Sequence, residues 1–212
     1  MAIDRRDFLN NAGALGLAAM AVPSGMAQAQ ESGSAAGDVG GLNVPFTGVS
    51  EFGKNPNMEF AFEIDLDFTR TQNIENMPTG GGRGVVYLDG GTVRGPLLNG
   101  KAVPDSGGDW SSFRPDGVLS FDARYMLEAN DGTLILLRNH GFLWGRETDT
   151  MDKIRAWIFD GGPEVPHSEY YLRCSPRFEV ESGKYDWLMR HVFVGVGTRK
   201  EHGNTIRYYA LL

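Results

Sequence analysis

Residues 58–68, MEFAFEIDLDF, alternate without a break. Met58, Phe60, Phe62, Ile64, Leu66 and Phe68 fall on one side of an extended chain, and Glu59, Glu63, Asp65 and Asp67 on the other. Wound into a helix, the same residues would spread aromatic rings around the whole circumference; pleated as a strand, they give one apolar and one acidic face. A chain that begins its domain this way is committed to a sheet with one face buried. The pattern recurs in GVVYLDGGTV, where Asp89-Gly90-Gly91 reads as a hairpin turn, and in VLSFDARYMLEANDGTLILLRN, where Asn130-Asp131-Gly132 reads as another. Further strands are expected over His167–Cys174, Trp187–Val196 and Thr205–Leu211. Only TDTMDKIRAWIF departs from period two: Met151, Ile154, Trp157 and Ile158 have helical spacing, with Thr148 or Asp149 as cap. That segment is one short helix or an excursion across a barrel mouth. An all-β domain of this size must hide its sheet edges, and closure removes them, so the fold expected is an antiparallel β-barrel of about eight strands. Such a barrel is just wide enough for side chains or one small ligand.

Composition narrows the partners. A formal charge of −7 disfavours a nucleic-acid partner, and 29 glycines suit a turn-rich β chain. The N-terminus carries Arg5-Arg6 before Phe8-Leu9, a mild apolar stretch from Ala12 to Val22, and Ala27-Gln28-Ala29 as a small-x-small cleavage signal. It resembles a twin-arginine export signal over residues 1–29, which predicts a periplasmic protein with no membrane attachment after cleavage. Residues 30–57 are small, polar and aperiodic, and read as a flexible lead-in to a domain over 58–212.

Across that domain, motifs fall in an order that identifies a family. They are Gly82-Arg83, Gly90-Gly91, Gly95-Pro96, Gly100 to Pro104, Asp109-Trp110, Asp116-Gly117, Asp122-Ala123-Arg124-Tyr125 and Asp131-Gly132. Tyr170-Tyr171, Ser175-Pro176-Arg177-Phe178, Tyr185-Asp186-Trp187-Leu188 and Val194-Gly195 follow. The chain is similar to the DUF3237 proteins, also called the UPF0311 family. The resemblance implies a barrel of calycin or allene-oxide-cyclase-like shape that commonly self-associates, here as a homo-oligomer, and it implies no settled activity. Residues 143–166 are longer than that family's pattern, and the export signal is not general to it.

Several side chains are candidates for chemistry. Ser120, Asp122, Arg124 and Met126 share one strand face, opposite Leu119, Phe121, Ala123, Tyr125 and Leu127. If the polar face looks inward, Asp122 is a general base and Arg124 stabilises an enolate or phenolate; otherwise the two form a surface ion pair. Asp109-Trp110 has two readings as well: Trp110 is a stacking lid with Asp109 as a hydrogen-bond acceptor, or Trp110 plugs one end of the barrel. Arg114, in the same loop, and Arg83, after three glycines, are further substrate-binding candidates. Tyr170 and Tyr171 face opposite ways, so at most one can act as proton donor in the cup. Asp116-Gly117 and Asp131-Gly132 are turns, and Cys174 is a packed thiol.

His140, His167, His191 and His202 are scattered without metal-ligand spacing, and no nucleophile elbow or phosphate-cradling loop occurs. The function expected is therefore cofactor-independent acid–base chemistry, of isomerase, cyclase or lyase type, on a small, mostly apolar or aromatic molecule, without metal. The alternatives are a non-catalytic binding barrel and a structural, oligomeric one.

Overall fold

The structure is a computed structural model that describes residues 44–212; the segment expected to be a twin-arginine signal and the first part of the expected lead-in lie outside the described residues. Nine strands follow in order: β1 Met58–Ile74, β2 Gly82–Arg94, β3 Gly100–Ala102, β4 Gly108–Phe113, β5 Leu119–Ala129, β6 Leu134–Gly145, β7 Tyr170–Val180, β8 Val192–Lys200 and β9 Gly203–Leu211. The sheet runs β1-β9-β8-β7-β6-β5, continues through β3 and β4 to β2, and closes by pairing β2 with β1, all antiparallel. β3 and β4 occupy one station between β2 and β5, so nine strands make an eight-station closed barrel.

Three local departures from the sequence pattern have clear causes. Phe62, Ile64 and Leu66 are buried inside, but an extra residue at Ala61, between the Phe60–Tyr209 and Phe62–Tyr208 pairs, makes a bulge. The bulge turns Phe60 onto the outer face, where the Arg207 guanidinium lies 4.4 Å from its ring. Asp89-Gly90-Gly91 is not a hairpin turn: β2 runs straight through it. It is the point at which β2 changes its second neighbour from β4, paired over Gly82–Tyr87, to β3, paired over Gly91–Val93. β7 and β8 also begin later than expected, because His167–Glu169 and Asp186–Met189 form single 3-10 turns, whereas β9 begins two residues earlier, at Gly203.

The Asn130-Asp131-Gly132 and Asp116-Gly117 turns do join β5 to β6 and β4 to β5, with Gly132 and Gly117 at φ +88° and +81°. The helical segment is a helix, α1, Thr150–Asp160, closed by Gly161 at φ +68° and a Gly162 N–H to Ala156 carbonyl bond of 3.0 Å. It also crosses the barrel mouth, so its two sequence readings describe one element.

The interior has two halves. At one end Phe62, Phe178, Phe193, Trp187 and Tyr208 meet edge-on or tilted at 5.3–6.2 Å and fill the barrel. Phe46 of the lead-in caps that end, 5.5 Å from the Trp187 ring and 4.9 Å from His191. At the other end the strands splay around a cup of about 890 Å3.

Candidate functional site

The cup is lined by inward residues at the mouth ends of the strands: Asp109 and Ser111 of β4, Phe121 of β5, Leu143 of β6, Leu172 of β7, Arg199 of β8 and Asn204 of β9. Met151, Ile154 and Ile158 of α1 close it from above. Alternation puts these residues there. On β4, Asp109, Ser111 and Phe113 face in, while Trp110 and Ser112 face out. On β8 the inward residues are Phe193, Gly195, Gly197 and Arg199. A Cβ at Gly195 would stand 2.2 Å from the Cys174 sulfur, so only glycine lets the neighbouring side chains pack there.

The polar groups of the cup are few and specific. Burial in the wall pushes the Asp109 carboxyl from its ordinary 3.8 up to about 7; Arg199 and a 3.4 Å bond from Ser111 oppose that rise, and Asp122 beyond the wall adds to it. Asp109 retains a partly exposed surface toward the cup although protein surrounds it closely. Arg199 acts on it through space, with no direct ion pair between them. Burial also lowers the Arg199 pKa, against the attraction of Asp109 and Tyr170. Its Nη1 donates to Asn204 Oδ1 at 2.9 Å, and its buried Nε has no partner.

Beneath this pair lies a polar tier. Asn139 Nδ2 donates to the Tyr208 hydroxyl at 3.0 Å, and the Tyr125 hydroxyl and the Cys174 thiol lie against the same buried cluster. Burial pushes the Cys174 thiol up to about 12, which keeps it a packed, protonated group.

The residues singled out from sequence divide between the two faces of the wall. Asp109 is in the cup and Arg114 is at its rim, tied to Asp116 in the β4–β5 turn. Tyr170 is the inward tyrosine, but its hydroxyl accepts the Arg199 backbone N–H at 2.8 Å and contacts Thr198 at 3.1 Å. It therefore positions Arg199 rather than donating protons into the cup. Tyr171 faces out, stacked on Trp144 at 5.0 Å.

Asp122 and Arg124 are also on the outer wall. Arg124 grips Asp122 through Nε at 3.2 Å and Nη2 at 2.7 Å, and His140 Nε2 stands 3.4 Å from the same carboxylate. The Arg124 bond chiefly holds that carboxyl below its ordinary value. Trp110 is neither lid nor plug: it is half exposed on the outside. With Arg83, Ser112, Asp122 and His140 it borders a groove of about 440 Å3. Arg83 is engaged there by Ser112 Oγ at 2.6 Å and the Gly82 carbonyl at 3.0 Å. In the groove Asp122 is matched directly by Arg124, whereas Asp109 and Arg199 of the cup make no direct ion pair.

Ser111, Arg199 and Asn204 were not legible as site residues. Arg199 and Asn204 flank the charged hairpin Lys200–Gly203, which reads as a solvated turn. Only the register of β8 against β9, with Arg199 opposite Asn204, reveals that both point inward.

Residues 56–211 match the family model described as a protein of unknown function, DUF3237. The chain belongs to the DUF3237 family. A UPF0311 protein of Clostridium acetobutylicum is 32% identical over 158 residues, which cover 74% of this chain and 96% of the relative. A crystal structure of a conserved protein of unknown function from Rhodopseudomonas palustris superposes with a TM-score of 0.67 at 26% identity, covering 75% of this chain and 99% of that one. A β-barrel-like protein of Acinetobacter baumannii gives 0.61 at 27% identity, over 76% and 99%. An enzyme from Penicillium herquei, at 21% identity and TM-score 0.55 over 77% and 100%, shares the fold. This DUF3237 chain thus joins solved barrels among which sequence varies widely while the closed sheet persists.

Proposed function

We propose that this DUF3237 protein takes a small, mostly apolar or aromatic molecule into the barrel cup and rearranges it by cofactor-independent acid–base chemistry of isomerase, cyclase or lyase type. Asp109 moves the proton, and Arg199, held by Asn204 and Tyr170, carries negative charge on a substrate oxygen. The observation that carries the proposal is the pairing of these two groups across one apolar cup, one titrating near neutrality and one permanently positive. A base works best when its pKa lies near the working pH, since both forms are then populated. The step is redox-neutral. Asp109 takes a proton from the carbon or hydroxyl next to a carbonyl, charge collects on the oxygen facing Arg199, and Asp109 returns the proton at another atom or to a leaving group. Phe121, Leu143, Leu172 and the α1 side chains keep water from the reacting centre. The proposal includes export by the twin-arginine route, supported by Arg5-Arg6 and the leader that follows them, and a self-associating state, supported by the family resemblance.

The test is a panel of aromatic and terpenoid carbonyl compounds, scored for binding and turnover with wild type, Asp109→Asn and Asp122→Asn. Asp109→Asn is expected to lose about 10²- to 10⁴-fold in turnover while retaining binding. Asp122→Asn is expected to match wild type. Loss of turnover in Asp122→Asn alone would move the chemistry to the outer wall; binding without turnover in all three would make the barrel a carrier.

A further inference from the structure

The cup contains a cation with no anionic group in contact with it. Arg199 is enclosed by the mouth ends of β7, β8 and β9, and among the described residues its only side-chain hydrogen-bond acceptor is the neutral amide oxygen of Asn204. Its Nε is buried and unpartnered. A largely enclosed cation with no carboxylate in contact is poorly compensated, which is why such groups are almost always paired. Asp109, among the described residues the only acidic side chain deep in the cup, makes no direct ion pair with Arg199. The remaining acids of the cup, Glu75, Asp152 and Asp160, lie exposed at its rim beside Arg114 and Arg155, so the rim is mixed in sign and selects little. Below it the walls are apolar: Phe121, Leu143, Leu172, Met151, Ile154 and Ile158.

From this arrangement we infer that the cup selects acids: its ligand brings one oxyanion, of carboxylate, sulfonate or acidic enol type, onto Arg199, and lays an apolar body along the opposite wall and under α1. The inference rests on the cup's being the site and goes further, because it fixes the charge of the molecule before any reaction begins. A neutral carbonyl ligand would leave the guanidinium as poorly compensated as it is alone. An oxyanion that meets the part of the guanidinium lining the cup supplies the missing charge, in the fork geometry that arginine offers and lysine does not. The site is polar at one spot and apolar elsewhere, so head-group charge decides which ligands enter, and the body need only be flat or flexible enough to fit.

The experiment uses two dyes with the same ring system. 8-Anilino-1-naphthalenesulfonate carries an anion, and N-phenyl-1-naphthylamine is the same body without it. Each is titrated by fluorescence into wild type, Arg199→Gln, Arg199→Lys and Met151→Trp, in about 0.5 M salt so that the exposed arginines of the outer wall are screened. Wild type is expected to bind the sulfonate at least about tenfold more tightly than the neutral dye, the worth of one charged hydrogen-bonded contact. Arg199→Gln is expected to erase that preference while leaving neutral-dye binding within about threefold. Arg199→Lys is expected to keep part of the preference, and Met151→Trp to weaken both dyes by filling the mouth.

Equal affinity for the two dyes in wild type would overturn the inference, as would a preference that survives Arg199→Gln. If Arg199→Gln does not fold, the wild-type ratio and its reduction in Arg199→Lys decide the matter. Binding untouched by Met151→Trp would instead overturn the cup as the site, a different failure from loss of the charge preference.

Discussion

Asp109 and Asp122 lie on paired strands of the same wall, close enough for the charge of one to raise the pKa of the other, yet they occupy different media. Asp122 stands opposite Trp110 on the outside, gripped by Arg124 and beside His140, and its carboxyl is held below the ordinary range. Asp109, one residue before Trp110, looks inward, and burial raises it to about 7. Because side chains alternate with period two, one position along the strand converts a solvated, paired carboxylate into a poised acid. Chemical potential in this protein therefore follows the face of the sheet and not the density of charged residues. On the outer wall Asp122 is held by Arg124, and in the sparsely polar cup Asp109 and Arg199 make no direct ion pair.

The widest contrast between the faces is in packing. Phe62→Ala, inside the filled end, is expected to cost about 3–5 kcal/mol, whereas Phe142→Ala on the outer wall is expected to stay within about 0.5 kcal/mol, read from urea unfolding midpoints. Equal costs would mean that the two faces are not distinguished by burial. Next comes the pH dependence. Asp109 binds its proton more tightly in the folded than in the unfolded chain, so folded molecules carry more protons between about pH 4 and 7. Stability should therefore fall as pH rises through that window, by at most about 1.4 kcal/mol per pH unit from this group, and level off above 7. Asp109→Asn should remove that component, and a difference between wild type and Asp109→Asn that stayed constant from pH 4 to 8 would break the comparison. The smallest effect belongs to Asp122. Its lowered pKa makes its contribution fully present above the ordinary 3.8 and lost only as pH falls through the depressed value. Asp122→Asn should thus change the unfolding midpoint only slightly and weaken the acid dependence below pH 4. A change centred near pH 7 would mean that the two carboxylates had been exchanged.

The sheet and its closure could be read from sequence, because alternation in MEFAFEIDLDF and the turn signals at Asn130-Asp131-Gly132 and Asp116-Gly117 report local preferences that tertiary structure keeps. Asp89-Gly90-Gly91 misled because glycines that let a strand change neighbours resemble glycines that reverse it. Alternation also placed Phe121, Ala123 and Tyr125 opposite Asp122 and Arg124, and the core follows the apolar set. Asp109 was visible as a candidate but not as an acid, since the sequence does not state which of two adjacent residues faces in. Arg199 was hidden for a different reason: its inward neighbours Gly195 and Gly197 carry no side chain, while the apolar alternation of β8, Val192, Val194 and Val196, lies on the opposite, outer face.

The proposed chemistry of the cup turns on a single proton. A carboxyl-carbon titration by NMR, with Asp109→Asn and Asp122→Asn used to assign the two signals, reads it directly. The expected result is an Asp109 midpoint near 7, with Asp122 titrating below 3.8. An Asp109 midpoint at or below 3.8 would mean that the cup holds an ordinary carboxylate, and would contradict the assignment of acid–base chemistry to its interior.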